Sequence, residues 1–105
     1  VEGYLVTFFT QENREHNKTS LANWIIEEAK SLGVRGATLF SGQEGFGHDG
    51  RFHSGNYFDL EDRPQQVVLA LTYDECDRLF RNIKENKLQM FYTKVRAEFG
   101  YTSEE

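Results

Sequence analysis

Residues 65–83, QQVVLALTYDECDRLFRNI, carry the change of period that decides the fold. Through residue 72 the run is β-branched and aliphatic, of strand length and apolar on both parities. At Thr72 the pattern changes. Thr72 and Glu75 stand at capping-box spacing, and Cys76, Leu79, Phe80 and Ile83 then line one helical face. Strand passes directly into helix, and the neighbouring segments follow from that junction. Downstream, residues 89–99, QMFYTKVRAEF, alternate: Phe91, Thr93, Val95, Ala97 and Phe99 on one side, Tyr92, Lys94, Arg96 and Glu98 on the other. Upstream, Pro64 marks the return from a polar excursion over residues 48–63 that begins beyond the strand ATLFSG at residues 37–42. The amino-terminal third supplies another strand, GYLVTFFTQ at residues 3–11, closed by the polar segment ENREHNK. A helix follows, with Leu21, Trp24, Ile25, Ala29 and Leu32 at helical spacing, Thr19 or Ser20 as N-cap and Gly33 as C-terminal cap. The order βαββαβ predicts an α+β, ferredoxin-like fold: a four-stranded antiparallel sheet with both helices on one face, as right-handed crossovers require.

A length of 105 residues with 38% hydrophobic and 14% aromatic content fits one domain over residues 1–105. Twelve Lys and Arg against seventeen Asp and Glu leave a net charge of -5, which argues against a protein that neutralises many phosphates along a nucleic acid. One cysteine and no long apolar run point to a soluble protein of a reducing compartment, the cytoplasm.

Two helices cover one side of such a sheet, so the other side of a monomer should be polar. It is not: Tyr4, Val6 and Phe8 are matched by Leu5 and Phe9 on the opposite parity, and Val67, Leu69 and Leu71 by Val68 and Ala70. Self-association through the uncovered face is the expected solution. The alternative is that the excursion folds back over the sheet.

Residues 36–53, GATLFSGQEGFGHDGRFH, hold five of the nine glycines. Successive N–H groups around Gly45, Phe46 and Gly47 would form an anion-binding nest, whereas a bulged strand end would use the same glycines without any ligand. The stretch matches neither a Walker loop nor a dinucleotide fingerprint, because no Lys-Ser/Thr follows it and no helix succeeds the strand. Lys94 and Arg96 lie two apart, on one strand face where both can meet a polyanion. Lys87, at the exit of a helix, suits the helix dipole on its own account.

The segment GVRGATLFSGQEGFGHDG resembles the hallmark of the PII signal-transduction superfamily, in which a G-x-x-G-x-T strand runs into a GFG turn that opens a long mobile T-loop. The likeness extends to the βαββαβ order, the entry ENREHNKTSL before the first helix, GRFHS after the turn and the basic pair on the last strand. It is to the small PII-like proteins of bacteria and archaea rather than to the nitrogen-regulatory members. The strand before GFG is one residue longer than is typical there. The loop before the last strand is reduced to ENKLQMFY, with fewer backbone donors for a phosphate. The resemblance implies a homotrimer whose inter-subunit clefts each bind an adenine nucleotide (AMP, ADP or ATP), an effector rather than a cofactor. It implies that Thr38 meets the base, that Gly45, Phe46 and Gly47 lie against ribose or phosphate, and that Lys87, Lys94 and Arg96 supply positive charge. A T-loop-like excursion over residues 48–63 would relay occupancy to a transporter or metabolic enzyme.

No residues group as a catalytic or metal site. His16, His48 and His53 lack helical pairing and cysteine partners. Cys76 falls on an apolar helix face as a buried inert thiol, and Trp24 belongs to the core. Asp59, Glu61 and Asp62 form an acidic patch suited to solubility or to matching a partner. The expected protein is a regulator without chemistry of its own. Its competitors are a slow nucleotide hydrolase and a trimeric metal-tolerance or structural protein that binds no nucleotide.

Overall fold

Both helices start and stop where their own residues dictate. Thr72 Oγ1 accepts the Glu75 N–H (3.1 Å) while Glu75 Oε1 accepts the Thr72 N–H (2.9 Å), which completes the capping box. At the other helix the N-cap is Ser20, whose Oγ accepts the Asn23 N–H (3.2 Å). Gly33, at φ 80°, ends that helix in the left-handed region where a side chain would be strained.

The computed structural model describes residues 1–42, 44–46, 52–54 and 63–104. In chain order the elements are β1 (Glu2–Gln11), β2 (Glu15–His16), β3 (Thr19–Ser20), α1 (Leu21–Ser31), β4 (Ala37–Ser41), β5 (Glu44–Phe46), β6 (Phe52–Ser54), β7 (Pro64–Thr72), α2 (Tyr73–Glu85) and β8 (Phe91–Glu98). A 3₁₀ turn follows at Thr102–Glu104. The main sheet has the order β4-β7-β1-β8 with every neighbouring pair antiparallel. This is the ferredoxin-like arrangement expected from the element order. Two small hairpins were not anticipated. The segment ENREHNK does more than close β1: β2 and β3 pair across Asn17 and Lys18, both at positive φ (54° and 66°), the geometry of a type I′ turn. Residues Glu44–Phe46 are likewise not a bare turn, since β5 pairs with β6.

The core lies between the sheet and the helices. Val6 and Phe8 of β1 and Val67, Leu69 and Leu71 of β7 meet Ala22, Trp24, Ile25 and Ala29 of α1 and Cys76, Leu79 and Ile83 of α2. Asn82 of α2 donates to Glu28 Oε2 of α1 (3.1 Å), joining the helices at their outer seam. At the far end of β1, a Cβ on Gly3 would overlap the Leu71 carbonyl oxygen and lie 2.9 Å from Thr72 Cα. Those neighbours are backbone of the paired strand, which cannot rotate away. Gly3→Ala is therefore expected to cost about 1–3 kcal/mol by forcing the strands apart, read as a lowered midpoint in thermal denaturation; an unchanged midpoint would show that this end of the ladder is loose.

On the helix-free face, Leu5, Phe40, Phe91 and Val95 are 41%, 54%, 69% and 56% exposed. The last strand puts its apolar parity here, because Val95 is in register with Leu5 and Phe91 with Phe9, while Lys94 is opposite the core residue Val6. The charged residues Lys94 and Arg96 thus take the helix side, and Phe91 and Val95 the open side. No helix among the described residues is long and apolar enough to cross a membrane.

Candidate functional site

The ends of β1, β4 and β7 and the start of β8 come together where the chain leaves the sheet after Ser41 and rejoins it at Pro64. Both points are tied down. The Gly42 N–H donates to the Pro64 carbonyl (2.8 Å), and the Glu12 N–H donates to the Arg63 carbonyl (3.0 Å). Between them opens a cleft of about 940 Å³, a size that suits a nucleotide-scale ligand. Its aromatic wall comes from Phe9, Phe40 and Phe91, with the Phe9 and Phe91 rings 5.6 Å apart. Its polar lining includes Thr10, Gln11, Arg14 and Gln65, and Arg14 Nη2 donates to the Gln89 carbonyl (2.7 Å), bracing the segment that leads into β8.

Four buried polar atoms cluster at this end of the sheet without a hydrogen-bond partner: Thr10 Oγ1, Gln11 Nε2, Arg63 Nε and Gln65 Oε1. Thr10 and Gln65 face one another across β1 and β7 and are 6% and 8% exposed. They continue the inward rows of Val6 and Phe8 and of Val67, Leu69 and Leu71, where apolar side chains belong. Each unmet buried group costs on the order of 1–3 kcal/mol, and such groups call for an explanation such as a ligand. Composition and motif gave no sign of these residues. The available signal was a polar residue on the core parity of each strand.

Thr38 is exposed on the open face, in register with Val68. Lys94 and Arg96 do share a face, as their spacing requires, but it is the helix side, and the Lys94 ammonium lies over the Tyr4 ring (4.5 Å) and near that of Phe80 (5.7 Å). β4 and β8 are opposite edges of the sheet, three strand spacings or about 14 Å apart. One chain therefore does not bring Thr38 together with Lys94 and Arg96. Gly45 and Phe46 are in the β5–β6 ladder, and because successive N–H groups of extended backbone point to opposite sides, these two do not form the expected nest. Gly47 lies outside the described residues, as do His48, Asp59, Glu61, Asp62 and most of the excursion. Lys87, at φ 57°, takes the position after α2 that Gly33 takes after α1: its N–H donates to the Lys84 carbonyl (2.9 Å) and that of Leu88 to Ile83 (3.2 Å).

Of the remaining candidates, the His53 backbone pairs with Gly45 in the β5–β6 ladder, and its side chain lies outside what the structure describes. His16 sets its ring edge against Trp24 (centroids 5.5 Å apart), and its Nε2 meets Asn86 Oδ1 at 3.1 Å. Asn86 Nδ2 donates to the Asn82 carbonyl (2.8 Å), which leaves Oδ1 as acceptor and makes His16 Nε2 the donor. Cys76 is a buried free thiol. Burial pushes its pKa up, with the nearby Lys94 charge acting in the opposite direction, so it is a poor nucleophile. Among the described residues no group of three His, Cys, Asp or Glu side chains is placed to hold a metal.

Residues 3–98 match the model of DUF190, described as "Uncharacterized ACR, COG1993". The chain belongs to the DUF190 family. No curated protein matches this DUF190 chain. Among solved structures, it is similar to a PII-like signalling protein of Thermus thermophilus, with a TM-score of 0.63 and 19% identity over 92% of this chain and 90% of the other. It is also similar to CPII of Thiomonas intermedia, a nitrogen regulatory PII-like protein bound to ADP, AMP and bicarbonate, with a TM-score of 0.60 and 16% identity over 92% and 89% of the two chains. At these identities the likeness is one of fold: this DUF190 protein has the PII-like fold.

Proposed function

We propose that this DUF190 protein is a nucleotide-sensing regulator without catalysis of its own, which binds an adenine nucleotide at the cleft and works as a homotrimer. The observation that carries the reading is the cleft itself. It places unpaired buried polar groups beside an aromatic wall, at Gly42 and Pro64, where the chain that carries residues 48–63 leaves and rejoins the sheet. A ligand there touches both roots of the excursion, so that its preference for one arrangement of them can shift the equilibrium seen by a transporter or enzyme partner. CPII, which has the same fold, binds ADP and AMP.

The trimer supplies what one chain lacks. β4 and β8 are the free edges of the sheet, and a head-to-tail ring sets the β4 edge of one subunit beside the β8 edge of the next. The cleft and the strand of Thr38 in one subunit would then lie beside the strand that carries Arg96 and Lys94 in its neighbour, with Lys87 and the Gly45–Gly47 segment nearer the phosphates. The uncovered apolar face would turn inward. Leaving Leu5, Phe40, Phe91 and Val95 about half exposed forgoes on the order of 3–6 kcal/mol, a large share of the 5–15 kcal/mol that stabilises a typical domain.

Calorimetric titration with AMP, ADP and ATP tests the reading. Saturable micromolar binding is expected, weakened at least tenfold by Arg96→Ala and also reduced by Gly47→Ala, which restricts the backbone without altering charge. Silence toward all three nucleotides would favour a structural role, and release of inorganic phosphate would make the protein a hydrolase.

A further inference from the structure

The unpaired groups of the cleft are of mixed kind. Gln65 Oε1 only accepts, Gln11 Nε2 only donates and Thr10 Oγ1 does either. A phosphate or carboxylate offers acceptors alone and leaves Gln65 Oε1 unmet. A hydroxyl both donates and accepts, and two vicinal hydroxyls meet a mixed set of this kind.

Parity separates Thr10 and Gln65 from the aromatic wall, while Gln11, the last residue of β1 and on the parity of Phe9, lies at the strand end between the two. Phe9 and Phe40 are on the open face with Thr38, whereas Thr10 and Gln65 are on the helix side, and the cleft wraps the sheet end between them. A flat ring stacked on the phenylalanines therefore has its attached sugar directed round the strand ends toward Thr10 and Gln65. We infer that Thr10, Gln65 and Gln11 form a hydroxyl-reading subsite that takes the ribose 2′,3′-diol of the nucleotide and discriminates ribonucleotides from deoxyribonucleotides. The inference rests on the nucleotide-binding reading above and adds to it the part of the ligand these residues recognise. It also accounts for why two inward strand positions carry polar groups at a cost to stability: their partners arrive with the ligand.

The test is calorimetry with AMP, 2′-deoxy-AMP and 3′-deoxy-AMP on the full chain and on Gln65→Leu and Thr10→Val, with thermal denaturation of each protein without nucleotide. For the natural sequence at least one deoxy analogue is expected to bind ten times more weakly than AMP, because a buried polar group is left unmet. In Gln65→Leu that ratio should fall to about two or less. Thr10→Val, nearly isosteric, should narrow the ratio while leaving the melting midpoint equal or higher, since it removes an unsatisfied buried hydroxyl. Tight AMP binding with no discrimination, or discrimination that survives both substitutions, overturns the subsite while leaving the nucleotide reading intact. Failure of AMP, ADP and ATP alike to bind overturns both.

Discussion

Val95→Asp is expected to convert the protein into a folded monomer that no longer binds adenine nucleotide at micromolar concentration. Val95 is 56% exposed on the helix-free face and in register with Leu5, which is 41% exposed, so within one chain it touches no buried core and an aspartate there stays in water. In the proposed trimer the same position is covered by neighbouring subunits. A carboxylate without a partner then costs several kcal/mol at each of the equivalent contacts, and every 1.4 kcal/mol is about a tenfold change in dissociation constant. Light scattering should show the natural sequence as a trimer and the variant as a monomer at a hundredfold higher concentration, with unchanged circular dichroism. Val95→Thr, which keeps the shape without the charge, should remain assembled. A natural protein that is monomeric at micromolar concentration, or a Val95→Asp variant that is still trimeric, would remove the open face as the interface.

Phe8→Ala should be the most damaging single substitution in the subunit. Phe8 is 1% exposed, its ring is 5.4 Å from that of Phe80 and 6.5 Å from that of Tyr92, and it lies between Val67 and Tyr92 in the two ladders of β1. Truncation removes the side chain that joins α2 to both halves of the sheet. It also loosens Phe80, whose ring meets Tyr92 at 4.9 Å and lies 5.7 Å from the Lys94 ammonium. Large-to-small changes of this kind cost about 3–5 kcal/mol, which in a domain of this size lowers the melting midpoint by on the order of 20 °C. Urea denaturation should show the same loss as a reduced midpoint. A loss below about 1 kcal/mol would mean that the cavity collapses and that Phe8 is not the keystone of this packing. Phe91, also aromatic and also on a strand but 69% exposed in the single chain, provides the contrast: in the monomeric Val95→Asp background its truncation should leave stability nearly unchanged.

Most of the fold was legible because its signals are local. The capping box at Thr72 and Glu75, the Ser20 cap and the left-handed Gly33 depend on residues within a few positions of each other, and each formed where its spacing placed it. The β2–β3 hairpin was missed because Asn17-Lys18 is a less familiar two-residue turn than one with glycine, and because strands of two residues leave almost no periodicity to read. The cleft was harder still. Thr10 and Gln65 are 55 positions apart in the chain and meet only through the β1–β7 register, so neither identity nor spacing marks them as a pair.

From the residues alone came the order of the four sheet strands and two helices, the helix boundaries, the two-sided hydrophobicity of the strands and the sharing of one face by Lys94 and Arg96, all consequences of short-range periodicity and capping chemistry. The tertiary structure alone decided which side each parity of β8 faces, since that depends on where α2 lies, and it turned Val95 and Phe91 outward and Lys94 toward Tyr4 and Phe80. It alone also gathered Thr10, Gln11, Arg63 and Gln65 at one end of the sheet, because strand register is set by the packing of the whole core and not by any segment within it.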